Sequence, residues 1–355
     1  ILRLKGNYIW PAMHVNYFNG NPENGRLADE MGVVVGTSHC DMLLRSNQNE
    51  WNPWREKKGY QNLKYDYSIP GQNRDRLQEY WRESVEQNKR YEVCWTVGMR
   101  GIHDTGFVTN EIERDNSLND EGKLQAKFQL LEQVITDQRS ILTSVLGEKR
   151  GREALQIFVP YKEVLPLYDA GLRLPDDVTV IWTNDNFAHI RRYPNDTERQ
   201  RCGGHGLYFH SSYWSPPPLS YLFINSTPLA QTGNELRKAW DNGIRKIWVD
   251  NVGALKPIEQ DMEFFIQCGW DAARPDATVH NVHQYLTMWF DEHFPGSVGE
   301  RCAEIYEEYA QITNVCKVEH LYRDAFSLTA YGDEAGRRIW KLRKLYDRVL
   351  EVWDG

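Results

Sequence analysis

Two acids and a set of cations stand at the ends of apolar runs in this chain, where their types alone suggest chemistry. Asp104 closes the segment GMRGIHD, and Glu163 follows the next apolar run in FVPYKEV. Glycosidic cleavage needs such a pair: one carboxyl protonates the leaving oxygen, and the other serves as base or nucleophile from the opposite side of the ring. Arg100 and Lys162 lie beside them; in a chain of net charge −8 they suggest an anionic group on the substrate, although either could pair with a neighbouring acid. His39 and His210 close two further runs, where a histidine either binds sugar hydroxyls, tunes a carboxyl or is a satisfied structural group. Asn186 and Asn251 suit hydroxyl recognition because an amide both donates and accepts. Met13, His14, Ser38, Asp185, Tyr213 and Asp250 complete the set of run-end residues. Each acid also has an ordinary reading. Asp104 could be a turn residue before Gly106, and Glu163 a first-turn residue favoured by the helix dipole.

Other chemistries lack their motifs. The chain has no HExxH, no phosphate loop of the Walker type and no GxSxG elbow. Its six cysteines form no CxxC pair, so neither a metal nor another cofactor is expected, and Cys94 reads as a small buried apolar residue. Net negative charge without a basic run argues against nucleic acid, and no apolar stretch approaches membrane-spanning length. Two triplets, Asn195-Asp-Thr and Asn225-Ser-Thr, match the glycosylation pattern. Trp10, Trp51, Trp54, Trp182 and Trp214 lie near run ends or in polar segments, where their faces could stack on sugar rings.

The elements that must position these residues are seven apolar runs: 7–13, 32–38, 91–101, 155–161, 179–185, 206–213 and 246–253. Helical patterns separate them, the longest over about 121–146 with Leu124, Phe128, Leu131, Ile135 and Leu142 at helical spacing. Strand alternating with helix predicts a parallel sheet, and in a closed barrel of that kind the C-terminal strand ends carry the active site. The fold expected is therefore α/β, a (β/α)8 TIM barrel. The opening ILRLKG reads as a last helical turn closed by Gly6, so the first barrel strand is expected upstream and the chain is expected to be part of a longer enzyme. A long polar segment, 46–68, interrupts the first units and is expected to be functional, or in part a short helix. From about 278 the strands stop. VHQYLTMWFDEHF, CAEIYEEYAQIT and GRRIWKLRKLYDRVLEVW are amphipathic helices whose aromatic stripes read as packing surface. The expected division is a barrel over 1–277 and an all-α helical bundle module over 278–355, continuing beyond the chain.

Longer blocks carry a resemblance. LRLKGNYIWPAM, RLADEMGVVVGTSHCDMLLR, WTVGMRGIHD, IFVPYKEVLPLYDAGL, VTVIWTNDNFAHIRR, GGHGLYFHSSYW and KIWVDNVGALKPIEQDMEFF resemble, in order over about three quarters of the chain, glycoside hydrolase family 115, the xylan α-1,2-glucuronidases. The resemblance implies an inverting hydrolase that removes glucuronic acid, often 4-O-methylated, from xylan or xylooligosaccharide. It implies a barrel followed by a helical bundle, and an extracellular or periplasmic site set by the polymer substrate; a homodimer is compatible with it. It also implies that Glu163 and Asp104 are the catalytic pair, and that Asn186, His210, Tyr213 and Asn251, with His39, line the pocket. The chain departs from the family pattern at Cys40, where a second His is usual, at Asn184, where an acid is usual, and at Ala188, where Gly is usual. A barrel glycosidase of other sugar specificity, or an inactive carbohydrate-binding protein, are the rival readings.

Overall fold

The structure is a computed structural model and describes residues 1–212, 225–274, 277–315, 317 and 328–354. Every predicted run carries a strand: β1 (Tyr8–Ile9), β2 (Val34–Val35), β3 (Trp95–Thr96), β4 (Gln156–Phe158), β5 (Thr179–Thr183), β6 (His205–His210) and β7 (Ile244–Asn251). The first three are much shorter than their apolar runs. Pro11 has no N–H to extend β1, and Gly98, at φ +121°, turns the chain out of β3. β1 and β2 pair in parallel, with Tyr8 opposite Val34. β3 to β7 form a second sheet in sequential order, parallel from β3 through β5. A parallel bridge between Val35 and Val93, with Cys94 N–H donating to the Val35 carbonyl at 2.9 Å, carries the ladder from β2 towards β3.

This is an α/β fold built on parallel sheets. Among the described residues the sheet is open, since β1 and β7 each have one strand neighbour. The central strands are buried on both faces, as parallel strands under helices must be: Val180, Ile181, Leu207 and Phe209 have no solvent exposure. At the edge, β7 instead exposes Arg245 and Lys246, charges that discourage pairing with another chain.

The chain forms two compact units. The first comprises Ile1–Trp182, Pro194–Leu207 and Ile244–Val249; the second comprises Thr183–Tyr193, Tyr208–Gly243 and Asp250–Gly355.

In the first unit the Pro22–Glu30 helix starts with proline at its first turn and with the Asn21 side chain accepting from Glu23 N–H at 3.1 Å. The long helix runs from Asp120 to Leu146, capped by Asn119, and buries Leu131, Val134, Ile135, Ile141 and Leu142. Its stripe begins later than its pattern suggests, because Leu124 is 37% exposed. At the N-terminus a short turn over Leu2–Leu4 is closed by Lys5, at φ 62°, rather than by Gly6.

Three of the tryptophans expected to meet sugar rings are core residues: Trp51, Trp54 and Trp182 are all buried. Part of the polar segment after residue 46 folds as a helix, Trp51–Lys57, whose Trp51 and Trp54 both pack 5.1 Å from the Tyr80 ring. Aromatic rings of this size stabilise more by leaving water than by waiting for a ligand. Trp214 lies outside the described residues.

In the second unit the segments after 278 are helical, Val282–His293, Gly299–Asn314 and Glu334–Asp354 among them. The first two form a tight antiparallel pair. A Cβ added at Gly299 would lie 2.2 Å from the Thr287 carbonyl, so only glycine allows that approach. Arg348 of the last helix reaches Glu308 at 2.5 Å and Glu304 at 3.1 Å. Among the described residues no helix is long and apolar enough to cross a membrane.

Candidate active site

The site of the first unit is built where β2, β3 and β4 end. Arg100, five residues beyond the start of β3, is 2% exposed, so its charge is tolerated only with partners. Two carboxylates provide them. Glu163 accepts from Arg100 Nε at 2.8 Å and from Nη2 at 2.6 Å, a two-point fork, and Asp104 accepts from Nη1. Asp104 also accepts from Lys162 Nζ at 2.7 Å and contacts His39 Nε2 at 2.8 Å. Glu163 gains a third donor in the Phe107 N–H at 2.9 Å. Tyr161 floors the group: its ring lies 4.5 Å from the His39 ring, 5.7 Å from the Arg100 guanidinium and 5.2 Å from Lys162 Nζ.

The electrostatics follow from this packing. Burial alone would raise the Asp104 pKa, but His39, Arg100 and Lys162 outweigh it and hold the carboxyl well below its ordinary range. Burial pushes His39 down from its usual value and wins over the pull of Asp104, so the imidazole favours its neutral form. Burial works against the Arg100 charge too, yet its hydrogen bonding to Glu163 and the two carboxylate charges raise its pKa.

The backbone here is unusual. His103, Asp104 and Lys162 all have left-handed φ, at 55°, 58° and 49°, a region that costs non-glycine residues about 1–3 kcal/mol each. Two buried amides hold the turn at the β3 end. Asn47 donates to the carbonyls of Cys40 and Gly101, both at 2.9 Å, and accepts from His103 N–H at 3.2 Å. Gln138 meets both backbone groups of Gly98 at 2.8 Å, just before Arg100. Neither amide was singled out in the sequence, nor was Tyr161. The only signal for Asn47 is its place in the polar segment SNQN; Gln138 is a polar residue on the buried stripe of a helix.

Five of the expected site residues thus meet: His39, Arg100, Asp104, Lys162 and Glu163. The turn reading of Asp104 is also correct, since its strained turn is what aims the carboxyl. Glu163 does stand at the N-terminus of a helix, Val164–Asp169, but its carboxylate caps nothing there and reaches Arg100 instead. Met13 is a core residue, 1% exposed. His39, Cys40 and Asp104 place three donor atoms within 4.8 Å of one another. A cation would be poorly served there: Arg100 and Lys162 already neutralise Asp104, and burial drives the Cys40 thiol pKa well above its ordinary value.

The remaining expected residues belong to the second unit. His210 is buried, its Nδ1 2.8 Å from Asn184 Oδ1, which also accepts from the His210 N–H at 2.8 Å. Asn184 orients the ring as an acid would, without adding charge. Asn251 donates to the Tyr208 hydroxyl at 3.0 Å, and that ring lies 4.3 Å from His210. Asn186 is half-buried in the turn after β5, a turn fixed by Asp185 accepting from the N–H groups of Phe187 and His189. Tyr213 lies outside the described residues. Asp250 accepts from the Ser211 hydroxyl at 2.7 Å, whereas its Oδ2 is enclosed with no partner among the described residues. The residue as a whole keeps some exposure, but the carboxyl is shut away, and burial, with Asp261 nearby, pushes its pKa up to about 7. Of the two glycosylation triplets, Asn225 is buried with its amide on Asp261 at 2.8 Å and offers nothing to modify.

A family model, glycosyl hydrolase family 115, matches residues 1–320. The chain belongs to glycosyl hydrolase family 115. A solved family 115 structure, a 4-O-methyl-α-glucuronidase with specificity for decorated arabinogalactans, is 28% identical and superposes with a TM-score of 0.84 over 99% of this chain. This chain spans 45% of that one. No curated protein sequence is similar enough to count as a match. Within family 115, the Ala188 departure has a visible cost: Ala188 is buried at φ 64°, a conformation that suits the glycine usual there.

Proposed function

We propose that this chain carries the catalytic region of an α-glucuronidase that hydrolyses α-1,2-linked, often 4-O-methylated, glucuronic acid from glucuronoxylan side chains with inversion. The observation that carries the reading is the Arg100 bridge: two carboxylates on neighbouring strand ends, each about a third exposed, joined by one buried guanidinium and flanked by His39 and Lys162. A structural ion pair needs neither a second acid nor strained turns. A pair of acids beside cations suits hydrolysis of an anionic glycoside.

In this reading Asp104 is ionised throughout the working range and acts as base on a water. Glu163 is the general acid that protonates the leaving oxygen. Arg100 or Lys162 binds the uronate carboxylate. Inversion requires the two carboxyls to stand about 6.5–9.5 Å apart with water between them when sugar is bound. His39, His210, Asn186, Tyr213 and Asn251 are proposed to meet the sugar hydroxyls. We further propose that the strands over 1–277 belong to an eight-stranded barrel, that 278–355 belongs to a helical module, and that the enzyme acts outside the cytoplasm.

A second reading keeps the chemistry and changes the polymer. It is favoured by the solved relative, whose specificity is for decorated arabinogalactans. One experiment addresses both: release of 4-O-methylglucuronic acid by the whole natural protein from glucuronoxylan and from glucuronate-decorated arabinogalactan. Release abolished in Glu163→Ala and in Asp104→Ala supports the pair, and the preferred polymer decides the substrate. Undiminished release in either variant removes that residue from the chemistry. No release from either polymer by folded wild-type protein favours a carbohydrate-binding role.

A further inference from the structure

We propose that substrate docks by carboxylate exchange on Arg100: the incoming uronate displaces Glu163 from the guanidinium, and this displacement frees Glu163 to act. The proposal rests on the glucuronidase reading above. All three guanidinium nitrogens of Arg100 are engaged, Nε and Nη2 by Glu163 and Nη1 by Asp104, and the side chain is 2% exposed. Three of its five N–H donors are taken, the guanidinium is enclosed, and three anions around one cation repel one another. One of the two resident acids must therefore leave when a uronate binds there.

The hydrogen bonds decide which. Asp104 keeps His39 Nε2 at 2.8 Å and Lys162 Nζ at 2.7 Å if it loses Arg100, and its strained turn is tied down through Asn47. Glu163 would keep, among the described residues, only the Phe107 N–H at 2.9 Å. Its side chain is 36% exposed, so it can swing into solvent without a buried charge being stranded. A uronate carboxylate matches the two-point geometry that Glu163 vacates, whereas Lys162 offers only a point charge.

Exchange couples recognition to catalysis. While forked, both Glu163 oxygens accept from donors, the arrangement of an ionised carboxylate that has no proton to give. Once displaced, the side chain can take a proton from solvent and deliver it to the leaving oxygen. A neutral sugar cannot open the fork, so it leaves the acid locked even when the ring fits.

The test is calorimetric binding of D-glucuronate and of methyl α-D-glucoside to the whole natural protein, wild type and Glu163→Gln. Removing the internal competitor should tighten glucuronate binding about tenfold or more, the order set by a charged hydrogen bond, while methyl glucoside binding stays within about twofold. Glu163→Ala should shift glucuronate affinity in the same direction, and circular dichroism checks that both variants fold. Glucuronate affinity that falls or stays level in both variants overturns the exchange while leaving the glucuronidase reading intact. Loss of glucuronate binding in Lys162→Met, with no gain in Glu163→Gln, overturns it in favour of Lys162. Failure of wild type and variants alike to bind glucuronate overturns both the exchange and the glucuronidase reading.

Discussion

Replacing Asp250 by Asn should stabilise the protein above neutral pH and do little in acid. Burial raises the Asp250 pKa from 3.8 to about 7, so the native state holds a proton that the unfolded chain has released. Between about pH 4 and pH 7 the native state binds more protons than the unfolded state, so stability falls as pH rises, and the loss is complete above about pH 7. The difference between 3.8 and about 7 corresponds to at most about 4 kcal/mol, at about 1.36 kcal/mol for each tenfold change in proton affinity. Asparagine has nearly the same shape, carries no charge to bury, and its Oδ1 can still accept from the Ser211 hydroxyl that now meets Asp250 Oδ1. With an unfolding entropy of about 2.1 cal/mol/K per residue, 4 kcal/mol is about 5 °C for a chain of 355 residues that unfolds as one. The assay is thermal unfolding of wild type and Asp250→Asn in matched buffers from pH 4.5 to pH 9. The two Tm curves should meet near the acid end and separate progressively up to about pH 7. Parallel curves, or a variant that is less stable at pH 8, would refute the argument that this carboxyl is buried without compensation.

Arg100→Met should abolish hydrolysis and destabilise the first unit by about 2–4 kcal/mol, less than for a fully enclosed pair because both carboxylates are a third exposed; urea denaturation measures it. Asp104→Asn should narrow the acid-stability difference. The depressed Asp104 pKa contributes stability that is fully present above its unfolded value of 3.8 and lost as pH falls below it, so wild type and variant should converge below about pH 4 in thermal unfolding. Gly206→Ala should cost about 1–3 kcal/mol or more, because its Cβ would lie 2.6 Å from the Ile247 carbonyl and 2.5 Å from Ile181 Cδ1 inside the sheet. Ala188→Gly should raise Tm slightly, by the equivalent of about 0.5–1 kcal/mol, because it relieves a left-handed φ of 64°; a lower Tm would mean that the lost Cβ packing outweighs the strain.

The sheet was legible because its strands are nearly continuous apolar runs, the pattern that burial on both faces demands. That Asp104 and Glu163 share one end of the sheet was legible for a related reason: Trp95 of β3 pairs with Gln156 of β4, so the segments that follow the two strands are neighbours. What the pattern could not reveal is how the pair is held. Asn47 reaches a carbonyl 54 positions away, and Gln138 reaches one 40 positions away. Such contacts have no local period and look like any polar residue in a loop or on a helix. Trp51 and Trp54 were misread because polar neighbours surround them in sequence. Their spacing of three on one helical face was the better guide, since it aims both rings at Tyr80.

The strained turns and the clamps explain one another. Asp104 and Lys162 sit in left-handed backbone that neither side chain favours, so something must hold each turn in place. At the β3 end that role falls to Asn47 and Gln138, which close the donors and acceptors of the flanking backbone, and to Arg100, which ties Asp104 to the β4 turn through Glu163. The arrangement leaves one weak link. Among the described residues Asp104 is bound by three side chains, whereas Glu163, beyond Arg100, is bound only by a backbone N–H. The proposed chemistry, with one carboxylate fixed as a base and another free to carry a proton, needs that inequality.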